Sequence, residues 1–234
     1  MRSSSLPDSE FLTNSYFYMD ISILCSDENH PVNEYLEAWV HKHERKHEIS
    51  ILRNCGELEK GDLLFLISCN EIVRFEDRKK FRKALVIHAS ELPKGRGWSP
   101  HIWQILEGHN RVIVTLLEAE DKVDSGDICE QLGLEISRNA LWDEINDLLF
   151  DAECRLMDFA VENFDAVVPT PQISTIEPTY YPKRTPADSE IDPERSLADQ
   201  FDQIRVCDPD RFPAFFKLRG DCYTIKLEKC DGRN

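Results

Sequence analysis

Short continuous apolar runs along this chain alternate with stripes of apolar residues at helical spacing. DISILCS (Asp20 to Ser26) and HEISILRN (from His47) are runs of strand length. Between them, in DENHPVNEYLEAWVHKHE, Val32, Leu36, Trp39 and Val40 recur as on one face of a helix. GDLLFLISC, from Gly61, is apolar enough to be buried on both faces, as a central parallel strand is. RFEDRKKFRKA predicts a short charged helix and KALVIHAS a fourth strand. SPHIWQILEG predicts a helix with Ser99 as N-cap, Pro100 at its first position and Gly108 past its end. RVIVTLLEAE and GDICEQLGLEI predict two more strands, and RNALWDEINDLLFDAECRLMDFAVENF a long amphipathic helix. Strands interleaved with helices predict an α/β fold: a mostly parallel twisted sheet with helices on both faces.

Beyond this region the pattern changes. Residues 166–196 hold six prolines and read as an extended linker. SLADQFDQIRVCD then predicts a helix, and PAFFKLRGDCYTIKLEKC a hairpin turning at Arg219 to Asp221. The expected organisation is a flexible tail (1–16), a main domain (17–165), and a linker with a small C-terminal α+β subdomain (166–234). The sequence leaves the oligomeric state open, and the hairpin offers β-prone edges that could pair across a two-fold axis in a homodimer.

Composition narrows the partners. A chain of 234 residues that is 41% apolar can bury a substantial core. Its 44 acidic against 28 basic residues give a formal charge of −16, which repels a nucleic-acid backbone, so no nucleic-acid partner is expected. A small anionic ligand held in a local basic pocket remains compatible. The eight cysteines are dispersed without a CxxC or CxxH pair, as in a reducing compartment. His41 and His43 fall on different helix faces, and no metal is expected. The first residues lack a continuous apolar signal core, and no run approaches the roughly 20 apolar residues of a membrane span. A cytoplasmic location without membrane association follows.

Candidate chemistry concentrates between Val86 and Ile128. His88 ends an apolar run, and Asp124 sits in a tight D-S-G turn. An imidazole and a carboxylate meeting at the mouth of a sheet can handle the proton traffic of acyl transfer. Taken singly, each has a plainer explanation, a structural histidine and an ordinary turn aspartate. The S-x-L-P-x-G-x-G sequence from Ser90 to Gly97 and the matched aspartate favour catalysis.

HASELPKGRGWSPHIWQILEG, TLLEAEDKVDSGDI, YYPKRTPADSEID and IRVCDPDRFPAFFKLRGDCYTI, in that order, resemble the 10-formyltetrahydrofolate-dependent formyltransferases. Within that group they look like the enzymes that N-formylate nucleotide-linked amino sugars, and GRGWSPHIWQILEG looks like the pseudaminic acid pathway type. The resemblance spans roughly Gly61 to Glu228. It implies a Rossmann-like formyltransferase domain over 17–165 and 10-formyltetrahydrofolate as co-substrate. It further implies an active site of an Asn-x-His motif with an aspartate in a D-x-G turn. His88 and Asp124 occupy two of these positions, and Val86 stands where the family has asparagine. Asn70, at the end of the neighbouring strand, then supplies the amide; or His88 and a backbone N–H suffice; or the chain is a catalytically impaired relative that binds folate or nucleotide sugar. Activity is the favoured reading.

The resemblance places the folate along Ser68, Cys69, Ile72 and Val73 and along Glu118, Glu120, Lys122 and Val123, largely through backbone groups. It places the acceptor along Ser90, Lys94, Gly95, Arg96, Gly97 and Trp98, with Tyr181, Lys183 and Arg184 meeting a nucleobase or diphosphate. Methionyl-tRNA formylation is the less favoured alternative, because the C-terminal piece reads as short and acidic where a tRNA grip would be basic.

Overall fold

The computed structural model describes residues 18–230. The expected tail, residues 1–16, lies outside them. Strands β1 (Asp20–Leu24), β2 (Glu48–Leu52), β3 (Gly61–Leu66) and β4 (Phe81–His88) form a parallel set in the order β2-β1-β3-β4. The first crossover carries helix α1 (Val32–His43), and that from β3 to β4 carries the single-turn helix α2 (Phe75–Arg78). The charged segment around α2 was expected to make a longer helix. Phe81 instead begins β4 and buries its ring, so the strand takes the residues that would have extended it.

After β4 come the two-residue strand β5 (Arg96–Gly97), helix α3 (Pro100–Leu106), strands β6 (Arg111–Glu118) and β7 (Ile128–Glu135), and helix α4 (Trp142–Glu162). Both β4–β6 and β6–β7 pair antiparallel, so the six-stranded sheet is parallel on one side and antiparallel on the other. A nine-residue connection, 119–127, joins β6 to β7 with no helix, and a direct return of this kind can only make an antiparallel pair. Ser99 does not cap α3. It adopts φ +43° and makes no capping bond, turning the chain sharply from β5 into the helix.

Ile21, Ile23, Leu63, Phe65, Leu85 and Ile87 alternate onto one sheet face, where α1 and α4 cover them through Leu36, Trp39, Leu149 and Leu156. The opposite face holds a smaller core of Leu24, Leu58, Leu64, Val73 and Phe81 beneath the segment 53–80. The proline-rich segment runs extended but is packed. Its strand β8 (Tyr180–Tyr181) pairs with β5, and Thr170 bridges to Ile128. Helix α5 (Phe201–Arg205) and the hairpin β9 (Ala214–Leu218) with β10 (Asp221–Ile225) complete the chain.

One buried acid stands in the main core. Glu153 of α4 is 7% exposed, its Oε2 has no hydrogen-bond partner among the described residues, and burial pushes its pKa up to about 8. Folding favours the protonated acid, so this group's contribution is full below its ordinary pKa of 4.5 and is lost as pH rises toward 8. Glu153→Gln is therefore expected to raise Tm at pH 8 and to change it little near pH 4.5. Thermal unfolding of both proteins across this range, where each kcal/mol moves Tm by roughly 2–4 °C, checks it; equal slopes with pH would refute the assignment.

Candidate active site

The site begins with strand alternation. Val86 and His88 share one face of β4, opposite Leu117 and Thr115 of β6, while Leu85 and Ile87 point into the main core. On this face Val86 lies in a lateral row with Leu66 and Leu117, so the position where the family carries an amide is part of an apolar floor.

Over that floor the 119–127 loop folds back. Glu118 N–H donates to the Asp127 carbonyl and Ala119 N–H to the Ala84 carbonyl. Gly126 lies so close to the strand that a Cβ there would stand 1.9 Å from the Glu118 carbonyl oxygen. Asp124 takes a left-handed φ of +52°, a conformation aspartate tolerates better than most residues. Gln172 fixes the turn by donating from Nε2 to the Asp124 and Gly126 carbonyls, each at 2.9 Å.

This brings the two candidate catalytic groups together across 36 residues of chain. Asp124 Oδ1 lies 3.6 Å from His88 Nδ1, and each side chain is 7% exposed. The other carboxylate oxygen, Oδ2, accepts from Gly97 N–H at 2.8 Å. His88 Nε2 meets the Gly95 carbonyl at 2.8 Å. A carbonyl only accepts, so Nε2 bears a proton, and in the neutral ring Nδ1 is the free lone pair facing Asp124. At 3.6 Å the two acceptors are not hydrogen-bonded to each other. A proton on Nδ1 would satisfy both.

The remaining expected site residues divide sharply. Gly95 and Gly97 take positive φ, and a Cβ on Gly97 would meet the Tyr181 carbonyl at 2.4 Å; their role is to let β5 lie against β8. Arg96 is not free for an acceptor: it is 5% exposed, with Nη2 donating to Gln172 Oε1 at 2.6 Å and Nη1 to the Tyr180 hydroxyl at 3.3 Å. Tyr181 donates its hydroxyl to Glu107 and stacks on Trp103. Arg184 turns inward to the Asp188 carbonyl and Ser189 Oγ. Lys94 is exposed, and Lys183 lies 4.5 Å over the exposed Trp98 ring, a ledge that keeps its charge toward solvent. Ser90 is 2% exposed, and its Oγ makes no hydrogen bond among the described residues.

Along the expected folate strip, Ser68 has a left-handed φ of +46° and Val73 is buried, whereas Ile72 and Val123 are exposed. Cys69 packs its thiol toward the Glu71 carbonyl. The Glu118 side chain is directed away from His88, into the opposite sheet face beside Lys83 and Cys129, where burial raises its pKa. Only its main chain faces the returning loop. Glu120 stands 4.0 Å from Arg78, and the Lys122 carbonyl accepts from Ser125. Asn70 is exposed beyond the end of β3. Its main-chain N–H donates to Ser26 Oγ, and its amide side chain makes no hydrogen bond among the described residues.

His101 was not foreseen. It follows Pro100 in the first turn of α3, one turn before Gln104, whose amide donates to the carbonyl of Ala89. The imidazole makes no hydrogen bond among the described residues. Burial first, then His88, His30 and Arg184, depress its pKa to about 4, which leaves it a neutral acceptor near pH 7. Its lone place in a helical stripe carried no signal that separated it from packing residues. Arg78 was also missed, hidden among charged neighbours that are solvated.

Residues 23–161 match the family model described as formyl transferase, and the chain belongs to that family. It is 31% identical over 179 residues to a methionyl-tRNA formyltransferase of Francisella philomiragia, covering 75% of this chain and 55% of that protein. The chain spans about half the length of the curated relatives it matches first. In fold it resembles methionyl-tRNA formyltransferase from Clostridium thermocellum (TM-score 0.74, 22% identity, 89% of this chain and 100% of that one). It also resembles HypX from Aquifex aeolicus in complex with tetrahydrofolic acid (0.71, 24%, 88% and 37%) and a sugar N-formyltransferase from Shewanella (0.69, 16%, 92% and 99%). No helix among the described residues is long and apolar enough to cross a membrane.

The loop return yields a structural prediction. Gly126→Ala forces the loop off the Glu118 carbonyl and with it Asp124 off His88. Hydrogen exchange is expected to show lost protection across 119–127 and at Gly97, with a Tm several degrees lower. Unchanged protection would mean that the close approach does not hold the loop.

Proposed function

We propose that this chain transfers a formyl group from 10-formyltetrahydrofolate to the amine of a nucleotide-linked amino sugar. The observation that carries the reading is the His88–Asp124 pair, assembled by a loop that returns over the β4 face of a formyl transferase fold. Attack of the amine nitrogen on the formyl carbon forms a C–N bond and an oxyanion, and leaves the nitrogen positively charged. His88 Nδ1 and Asp124 Oδ1 are both acceptors, so the amine's excess proton passes to Nδ1. The resulting imidazolium holds its Nε2 proton on the Gly95 carbonyl and shares its Nδ1 proton with Asp124, and its charge stabilises the oxyanion. As the intermediate collapses, the bond from the formyl carbon to the folate nitrogen breaks, and the same proton passes to that nitrogen. Asp124 orients and stabilises the ring throughout.

Val86 cannot donate a hydrogen bond to the oxyanion. Asn70 is a poor substitute, being exposed on its loop. The unpartnered Ser90 hydroxyl, two residues beyond His88, is the better donor. His101, whose pKa is lowered by burial and by the charge of His88, adds a neutral ring suited to an amine or hydroxyl of the acceptor, and Lys183 over Trp98 suits an anionic carrier. The formal charge of −16 favours this small acceptor over tRNA. The second reading, methionyl-tRNA formylation, draws its support from curated relatives of that name. A catalytically impaired binding protein is a third outcome of the same assay.

The test is incubation of the protein and 10-formyltetrahydrofolate with a panel of nucleotide-linked 3- and 4-amino sugars and, separately, methionyl-tRNA, followed by mass analysis for a formyl increment. A formylated sugar nucleotide is expected. Formylated methionyl-tRNA alone would replace this reading, and no product from either would leave a binding protein. With the active acceptor, His88→Ala is expected to lower kcat by about a hundredfold to a thousandfold. Ser90→Ala should lower kcat by about tenfold or more with little change in KM, consistent with loss of a single transition-state hydrogen bond. His101→Ala should act mainly on the acceptor's KM; a Ser90 effect confined to KM would remove it from the oxyanion.

A further inference from the structure

Arg78 lies in the run RFEDRKKFRK, where a cation ordinarily reaches for water, yet it is only 7% exposed. A buried guanidinium requires partners, and these join two separate loops. Nη1 donates to the Val73 carbonyl at 2.6 Å, at the end of the loop that leaves β3. Nη2 donates to Asp121 Oδ1 at 2.9 Å, in the loop that returns from β6, with Glu120 at 4.0 Å. Three residues beyond Asp121 the same loop carries Asp124, held by Gly97 and Gln172. The returning loop is thus bolted at two points: a catalytic end at Asp124 and an outer end at Arg78. Large apolar side chains are left bare on both sides of the bolt, with Ile72 70% and Phe75 57% exposed on one lip and Val123 48% exposed on the other.

We infer that Arg78 is a positioning residue that fixes the separation of these two lips and thereby sets the affinity for the folate, without touching the reacting atoms. This rests on the reading of the cleft as a folate site. Its geometry separates binding from chemistry. Releasing the outer bolt loosens 119–123, while Asp124 keeps two hydrogen bonds of its own, from Gly97 N–H to its carboxylate and from Gln172 to its carbonyl, and Gln172 also holds the Gly126 carbonyl. Lysine can replace one of the two contacts but cannot span both, because it lacks the planar fork.

The experiment is calorimetric titration of the full chain with 5-formyltetrahydrofolate, a stable folate, alongside hydrogen exchange of the loop. Arg78→Ala is expected to raise Kd tenfold or more and Arg78→Lys to recover part of that. Asp121→Asn, at an exposed position that leaves folding intact, should raise Kd severalfold, and the double variant should be no worse than Arg78→Ala alone. Exchange should rise at 119–123 and stay low at 124–127. Wild-type and variant affinities that agree within twofold, or additive effects of the two substitutions, would overturn the clamp while leaving the folate reading in place. A wild-type chain that binds no 5-formyltetrahydrofolate would overturn the folate reading and the clamp with it.

Discussion

The return of the β6–β7 loop over the face of β4 is the constraint on which this molecule turns. Without it, His88 ends a strand beside Thr115 and nothing acidic reaches it. With it, one carboxylate does two things, facing the imidazole through Oδ1 and accepting the Gly97 amide through Oδ2. The return depends on a glycine that lets two backbones nearly touch and on an aspartate held at positive φ. Gln172, from the proline-rich segment, closes the arrangement by occupying two carbonyls of the turn. A segment that composition marks as loose is therefore part of the site's frame.

Hydrogen-bond inventory explains why the histidine is poised for one direction of proton transfer. Its Nε2 faces an acceptor that can never donate, so the neutral ring has a single available position for a proton, and that position is next to the carboxylate. Burial of both side chains removes competing water and strengthens the coupling between them. The Gly95 carbonyl that fixes the ring immediately precedes β5, the strand that pairs with Tyr180–Tyr181. Ring orientation is consequently tied to the β5–β8 ladder and, through it, to the same proline-rich strap.

Periodicity made the six sheet strands, α1 and α4 legible, because each carries an apolar run or stripe, well buried in β1, β3 and β6 and only half-buried in β2 and most of β7. Strand direction was harder to read. An apolar run such as RVIVTLLEAE looks the same whether its neighbour is parallel or antiparallel; the missing helix between β6 and β7 decides that pair, but β4 and β6 are also antiparallel with α3 between them. The meeting of His88 with Asp124 was visible through the spacing of two motifs. The fates of Arg96, Arg184 and Tyr181 were not, because a side chain that binds a ligand and one that braces a loop have the same chemistry in sequence. Arg96 spends its guanidinium on Gln172 and Tyr180, and Tyr181 its hydroxyl on Glu107.

Val86 shows how a departure from a family pattern can be absorbed by its surroundings. Leu66 and Leu117 flank it in register, so an asparagine there would lie in an apolar row and require a partner of its own. The valine, itself half-buried, avoids that cost and continues the apolar row. What it removes is a donor; among the described residues the buried Ser90 Oγ has no hydrogen-bond partner, and His101, half-buried in the first turn of α3, makes no hydrogen bond. A buried polar group without a partner is costly, and the Ser90 hydroxyl two residues beyond His88 is one such group, with hydrogen-bonding capacity that the described residues do not meet. On the proposed reading, specificity for the acceptor would thus rest less on the asparagine position than on the geometry of the strand end and the first turn of α3.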